Sequence, residues 1–243
     1  MKKLIVIDSG NLQFKSIFAF RNNSAVPVTY TYLSMMFAYL KRIGVTLDDR
    51  IIVACDYGNW RRDIDPLYKQ QRKALRESQE DSDFWQEMFR EFNEFIPKIE
   101  QALPYEFYKI YKREADDIAS CATRYIDADE KILVSSDADW EMLCTIPNTK
   151  IFSPYTKKYK IVNNPEAVLA QKINGDKSDN LLEKPKTEEE YNKRKMIVNL
   201  LELPDWVEAP IKEAMFKAVP KKLNISKLPF RTMQERLKKL YNL

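Results

Sequence analysis

The chain contains no histidine. That absence removes Ser-His-Asp hydrolases, Cys-His proteases and His-ligated zinc centres. Any hydrolysis has to come from carboxylates, lysines or metal-activated water. Cysteine is nearly as scarce. Cys55, Cys121 and Cys144 stand apart, with neither the CxxC spacing of a zinc site nor the pattern of a disulfide framework, which fits a reducing cytoplasm. No apolar run approaches the ~20 residues that span a bilayer, so no membrane role is expected. The basic start at Lys2 and Lys3 followed by LIVID resembles a signal peptide, but Asp8 ends the apolar stretch early and makes it a buried strand. Glycine is limited to Gly10, Gly44, Gly58 and Gly175.

With 243 residues, 44% hydrophobic and 31% charged, the chain is long enough for one substantial core with a smaller helical appendage. Net charge is only +4. It is unevenly made, because nine acids belong to the motifs described below and the remaining chain is strongly basic. A basic body around an acidic pocket suits a polyanionic substrate held near cations.

Apolar runs at 4–7, 51–55 and 131–135 read as strands. The segments 29–43, 84–102 and 116–126 have helical periodicity. Phe84, Trp85, Met88, Phe89, Phe92 and Phe95 form an aromatic stripe whose simplest role is core packing. Residues 150–162 alternate like a hairpin or edge strand. The tail from about 188 is helical, with breaks expected near Pro204, Pro210, Pro220 and Pro229. Strands alternating with helices predict an α/β fold with a mostly parallel central sheet flanked by helices. The charged stretch 181–189 is the best linker.

Three strands each reach an aspartate at the carboxyl end: Asp8, Asp56 and Asp137. In open α/β sheets that rim is where ligands bind. One such aspartate is an ordinary turn or cap residue. Three on one rim crowd like charge and call for a cation. Glu114, Asp116 and Asp117 open a helix, where acids also suit the dipole. Asp139 follows Asp137 by two, and Asp176 and Asp179 follow Gly175. An all-oxygen ligand set favours Mg²⁺, with Mn²⁺ as a substitute. Two such ions ~3.5–4 Å apart can activate water and stabilise both the attacking and departing oxygens of a phosphodiester.

IDSGN at 7–11, EADD at 114–117, SSDAD at 135–139 and GDKSDN at 175–180 occur in one order over roughly the first 180 residues. In that order they resemble the 5′-nuclease family: flap endonucleases, the 5′-nuclease domain of bacterial DNA polymerase I, and phage 5′-to-3′ exonucleases, which share a PIN-like fold. YGNWRRD at 57–63, YKQQRK at 68–73, FSPYTKKYK at 152–160 and EEEYNKRK at 188–195 are similar to the ribonuclease H group of T-even phages. The resemblance implies a 5′-to-3′ exonuclease with flap endonuclease activity that removes RNA primers in phage replication, in a host cytoplasm. It implies a catalytic domain over 1–180, a helical arch or clamp over 57–113, and a small C-terminal helical region over 181–243. It also implies Asp8, Asp56, Asp116 and Asp137 at a first metal, assisted by Glu114 and less firmly Asp117. Asp139, Asp176 and Asp179 stand at a second. Lys69 and Arg72 would act with Asp8 and Asp137 in catalysis. Arg61, Arg62, Tyr68, Lys69, Arg72 and Lys73 would contact nucleic acid. Substrates would be DNA and RNA–DNA duplexes with 5′ ends or flaps.

The chain departs from the family after Gly175. No glycine follows, so the glycine-turn helix–hairpin–helix element that grips duplex is expected to be missing. Dependence on a sliding clamp or single-strand-binding protein would follow. The competing readings are a non-catalytic replisome scaffold and a single-strand ribonuclease on the same fold.

Overall fold

The computed structural model describes residues 2–70 and 82–243. Strand β1 (Lys3–Asp8) pairs in parallel with β2 (Arg50–Cys55) on one side and β4 (Glu130–Val134) on the other. β3 (Glu106–Lys109) extends the β2 side, and β5 (Thr149–Ser153) extends the β4 side. β6 (Lys158–Lys160) closes that edge as an antiparallel, exposed strand. The order β3-β2-β1-β4-β5-β6 confirms an α/β fold with a mostly parallel sheet. The order reverses between β1 and β4, which makes their carboxyl ends the switch point of the sheet.

β1 alternates strictly. Ile5 and Ile7 face one core, and Leu4 and Val6 face the other. On the first face lie α1 (Ser9–Asn22), α2 (Val28–Ile43) and α4 (Ser82–Glu100). α3 (Arg61–Ile64) is a single turn after β2. The aromatic stripe of α4 packs as expected: Phe92 meets Tyr32, and Trp85 and Phe89 meet Phe14 of α1. The second face holds α5 (Ala115–Tyr125) and the 3-10 turn Asp139–Thr145. Beyond the hairpin come α6 (Pro165–Asn174), α7 (Glu188–Val198), α8 (Asp205–Phe216) and α9 (Arg231–Tyr241).

Two sequence expectations need correction. The region 57–113 is not wholly an arch outside the core, because β3 is a strand of the central sheet and Phe92, Phe95 and Ile99 of α4 are buried. The tail is not a separate appendage either. Val207, Ile211 and Met215 of α8 join the core beneath α5, whereas Met233, Leu237 and Tyr241 of α9 join the opposite core beside α2. The chain thus wraps both faces of its own sheet.

Pro210 does not break the tail as expected. It lies inside α8. Proline has no N–H for the carbonyl four residues back, here that of Trp206. That carbonyl instead accepts Arg113 Nη2 at 2.7 Å, while Arg113 Nε donates to the Val207 carbonyl at 2.9 Å. A buried guanidinium supplies what the proline withholds. Arg113→Met should therefore cost roughly 2–4 kcal/mol in denaturant unfolding. Pro210→Ala should recover part of that loss only in the Arg113→Met background, and equal effects in both backgrounds would refute the coupling.

Candidate metal centre

The parallel register brings three strand ends to one rim. Asp8 ends β1 and caps α1, its Oδ1 accepting from the Asn11 amide at 2.9 Å. Its Oδ2 accepts from Ser135 Oγ at 2.8 Å, across the switch point just beyond β4. Asp56, one residue past β2, accepts from the Ala115 amide at 2.7 Å at the start of α5. A Cβ on Gly10 would stand 3.0 Å from Asp56 Oδ2, so the glycine of IDSGN lets α1 approach the second carboxylate. Asp116 accepts from Trp140 Nε1 at 2.7 Å, and Asp137 accepts from the Asp139 amide at 3.0 Å. Asp8, Asp56, Glu114, Asp116 and Asp137 line one cleft of about 710 Å³, together with Asn11, Arg62, Lys69, Tyr111 and Lys112.

Asp139, Asp176 and Asp179 form a second group, with ligand oxygens within 4.8 Å of one another. Asp176 begins, and Asp179 ends, the short turn after α6. The Asp137–Asp139 hydrogen bond joins the two groups. The sequence-predicted acids are therefore assembled, with one exception.

The exception is Asp117. It is fully buried. Its Oδ1 accepts from Arg61 Nη2 at 2.8 Å, and its Oδ2 from Trp60 Nε1 at 3.1 Å and the Glu114 amide at 2.9 Å. Both oxygens are committed to protein donors, so Asp117 is a structural carboxylate rather than a metal ligand. Arg61 is likewise corrected as a nucleic-acid contact. Only 1% exposed, it pairs with Asp117 and Glu114 and donates to the Ile197 carbonyl at 2.7 Å. Tyr68 is buried as well, its hydroxyl 3.3 Å from Asp179 Oδ2, and has no face to offer a base. Arg62 is exposed and lines the cleft, as a phosphate contact requires. Arg72 and Lys73 lie outside the described residues.

Lys69 stands between the two acidic groups. Its Nζ is 3.0 Å from Glu114 Oε1 and 3.9 Å from Asp179 Oδ1. Its backbone is left-handed, with φ 54°, and its amide donates to the Asp179 carbonyl at 3.2 Å. Such a conformation in a residue other than glycine costs of order 1 kcal/mol and marks a side chain whose direction matters. Burial is the largest single influence and opposes its charge, but Glu114 together with Tyr68, Asp116 and Asp179 overcomes it and keeps the ammonium protonated beyond the usual lysine range.

Three participants escaped sequence reasoning. Tyr111 and Lys112 line the cleft from the turn before α5, and Lys112 pairs with Asp63 at 2.7 Å. Lys172 contacts all three acids of the second group. The only sequence signal for it was its position four residues before Asp176 on a helical stretch.

Residues 3–173 match the family of the 5′-3′ exonuclease, N-terminal resolvase-like domain. The chain belongs to this family. It is 35% identical over 150 residues to the ribonuclease H of Enterobacteria phage T4, an alignment taking in 58% of this chain and 47% of the phage protein. The chain thus spans about half the length of the curated relative it matches. Two solved bacteriophage T5 structures share the fold across 98% of both chains at 18% identity. They are a flap endonuclease in a pseudo-enzyme–product complex with DNA and metal ions (TM-score 0.68) and a T5 protein crystallised with metal ions (TM-score 0.63). The exonuclease-family assignment accounts for the ordered acidic motifs, and the oxygen-only donors of this chain fit hard divalent cations.

Crowding shows in the protonation of the rim. Burial, followed by the nearby Asp56, pushes the Asp8 carboxyl up to about 8, and burial pushes Asp56 up to about 6. Burial and then Asp137 also raise Asp139. A carboxyl whose folded pKa lies above its unfolded value favours the fold while it is protonated. The contribution of Asp8 and Asp56 is therefore complete below about pH 4 and is lost as pH rises through about 6 and then about 8. In chelator, the melting temperature of the wild type should fall across this window more steeply than that of Asp8→Asn. Millimolar Mg²⁺ should flatten the wild-type curve. Parallel wild-type and Asp8→Asn curves would contradict the assignment.

Proposed function

We propose that the protein is a metal-dependent 5′-to-3′ exonuclease and flap endonuclease. It hydrolyses phosphodiesters near the 5′ end of DNA or of RNA primers during phage replication. One observation carries this reading: carboxylates from separate strand ends and a helix start share one cleft, a second acidic group adjoins it, and a lysine stands between them. Family membership supports the reaction class. The names of the phage T4 and T5 relatives, a ribonuclease H and a flap endonuclease solved with DNA, support the substrate class.

In this reading Asp8, Asp56, Asp116 and Asp137 hold one ion, with Glu114 behind them, and Asp139, Asp176 and Asp179 hold another. Bound Mg²⁺ supplies Lewis acidity and a local source of nucleophilic water at neutral pH, which this histidine-free chain does not otherwise have. The protein's own groups do the positioning. Ser135 and the Asn11 amide orient the two Asp8 oxygens, and the Ala115 amide and Trp140 orient Asp56 and Asp116. Arg61 holds the Glu114 carboxylate in place. Lys69 is the rim cation placed to exchange its carboxylate partners for a non-bridging oxygen of the scissile phosphate. Arg62 and Lys112 are placed to meet flanking phosphates, and the exposed Tyr111 and Tyr57, 5.8 Å apart, to meet unpaired bases. A sliding clamp or single-strand-binding protein remains part of the proposal as the source of duplex grip.

The test uses a 5′-flap duplex and an RNA-primed nicked duplex, each labelled, with Mg²⁺ or with chelator. Cleavage should require the ion and fall by at least about two orders of magnitude in Asp137→Ala. Product lengths separate exonuclease from flap cutting. Cleavage in chelator, or tight DNA binding without any cutting, would overturn the reading, the latter in favour of a scaffold.

A further inference from the structure

The two acidic groups are neutralised in different ways. Around the four aspartates of the first, the contacts are neutral donors, the Asn11 amide, Ser135 Oγ, the Ala115 amide and Trp140 Nε1, and the nearby cations Arg61 and Lys69 pair with Glu114 behind them. Among the described residues, no lysine or arginine stands within ion-pairing distance of Asp8, Asp56, Asp116 or Asp137. The second group is built around an ammonium. Lys172, in the last turn of α6, has its side chain 13% exposed. Its Nζ is 2.5 Å from Asp139 Oδ1 and 3.6 Å from Asp179 Oδ2, and it pairs directly with Asp176 Oδ2. The same three carboxylates are the ones whose oxygens can converge on a metal ion.

We propose that Lys172 is a built-in counter-ion for the second group, which binds its divalent ion by exchange with this lysine and is therefore the weaker of the two sites. The proposal rests on the metal-dependent reading given above. The physical reason is mutual exclusion. An ammonium within contact distance of three carboxylates occupies the centre those oxygens share, and a divalent ion there would face a cation at close range. The lysine is suited to leave. It is a compact charge on a flexible four-carbon stem, and it sits at the carboxyl end of α6 with solvent on one side. The four aspartates of the first group have no such resident to displace, because the lysine of that cleft, Lys69, pairs with Glu114 behind them. Loading is thus ordered, with the second ion taken up only when its concentration, or an arriving polyanion that attracts the freed ammonium, makes the exchange favourable.

Mn²⁺ binding to the full chain without nucleic acid, followed by titration calorimetry, tests this. The wild type should show a tighter and a weaker ion. Lys172→Met should tighten the weaker ion roughly tenfold, the effect expected from removing a charge in direct contact. Lys172→Arg should leave it near the wild-type value. Lys177→Met, an exposed charge removal beside Asp176, controls for general electrostatics and should change it much less. In chelator, Lys172→Met should melt below the wild type, and Mn²⁺ should raise its melting temperature more. Lys172→Gln carries the same expectations should the methionine variant fold poorly. Two ions bound with equal affinities in wild type and Lys172→Met, or equal tightening in Lys172→Met and Lys177→Met, would overturn the counter-ion role and leave the metal reading standing. A single ion, or none, in every variant would overturn both.

Discussion

Repulsion among carboxylates at one sheet edge is the constraint around which this structure is organised. Parallel register makes it unavoidable, because strands running the same way deliver their terminal aspartates to the same side. Asp8 is buried and Asp116 half-buried at this rim, so added negative charge there costs more than it would on the surface. The protein answers with three devices. Neutral donors orient the first group, a lysine fills the second, and an arginine secures the helix start between them. Each keeps the acids close without letting the cluster collapse or splay.

The arginine device binds the outlying parts of the chain to the rim. Arg61 joins α3, the start of α5 and the end of α7 through Glu114, Asp117 and the Ile197 carbonyl. Trp60 adds its indole N–H to the same Asp117. Breaking a buried pair of this kind typically costs 3–5 kcal/mol, since a charge is left without a partner. Position matters more than net worth here. The guanidinium links the tail to the orientation of Glu114, so α7 contributes to the shape of the rim although it lies far along the chain from it.

Much of this was legible in the sequence, and the limits have physical causes. The strand-end aspartates could be read because an apolar run followed by an acid is a local pattern, and their convergence follows from parallel pairing. Short, half-buried β3 had no such pattern, and α1 lacked a clear apolar stripe to set it apart from the motif it contains. Arg61 looked like a phosphate contact because basic residues cluster in YGNWRRD. Whether a given guanidinium faces solvent or a buried carboxylate is decided by partners 53 to 136 residues away. Asp117 was misjudged for the same reason, since the acids of EADD differ only in which way the helix turns them. Pro210 shows the converse: a strong local signal overridden by one distant side chain. Lys172 was within reach of a helix-spacing argument, but only the fold shows that its neighbour four residues on belongs to a cluster of three.

β6 has a different significance. It is the outermost strand of a flat row of hydrogen-bonding groups, and such a margin invites a second chain to add itself. Here the margin is three residues long, exposed and lysine at both ends. Lys160 is drawn to Glu141 and Lys150 to Glu130, which keeps charge along that flank. Two copies meeting there would bring like charges together over a pairing too short to offset them. The hairpin that completes the sheet thus also guards its margin against strand addition by a second copy.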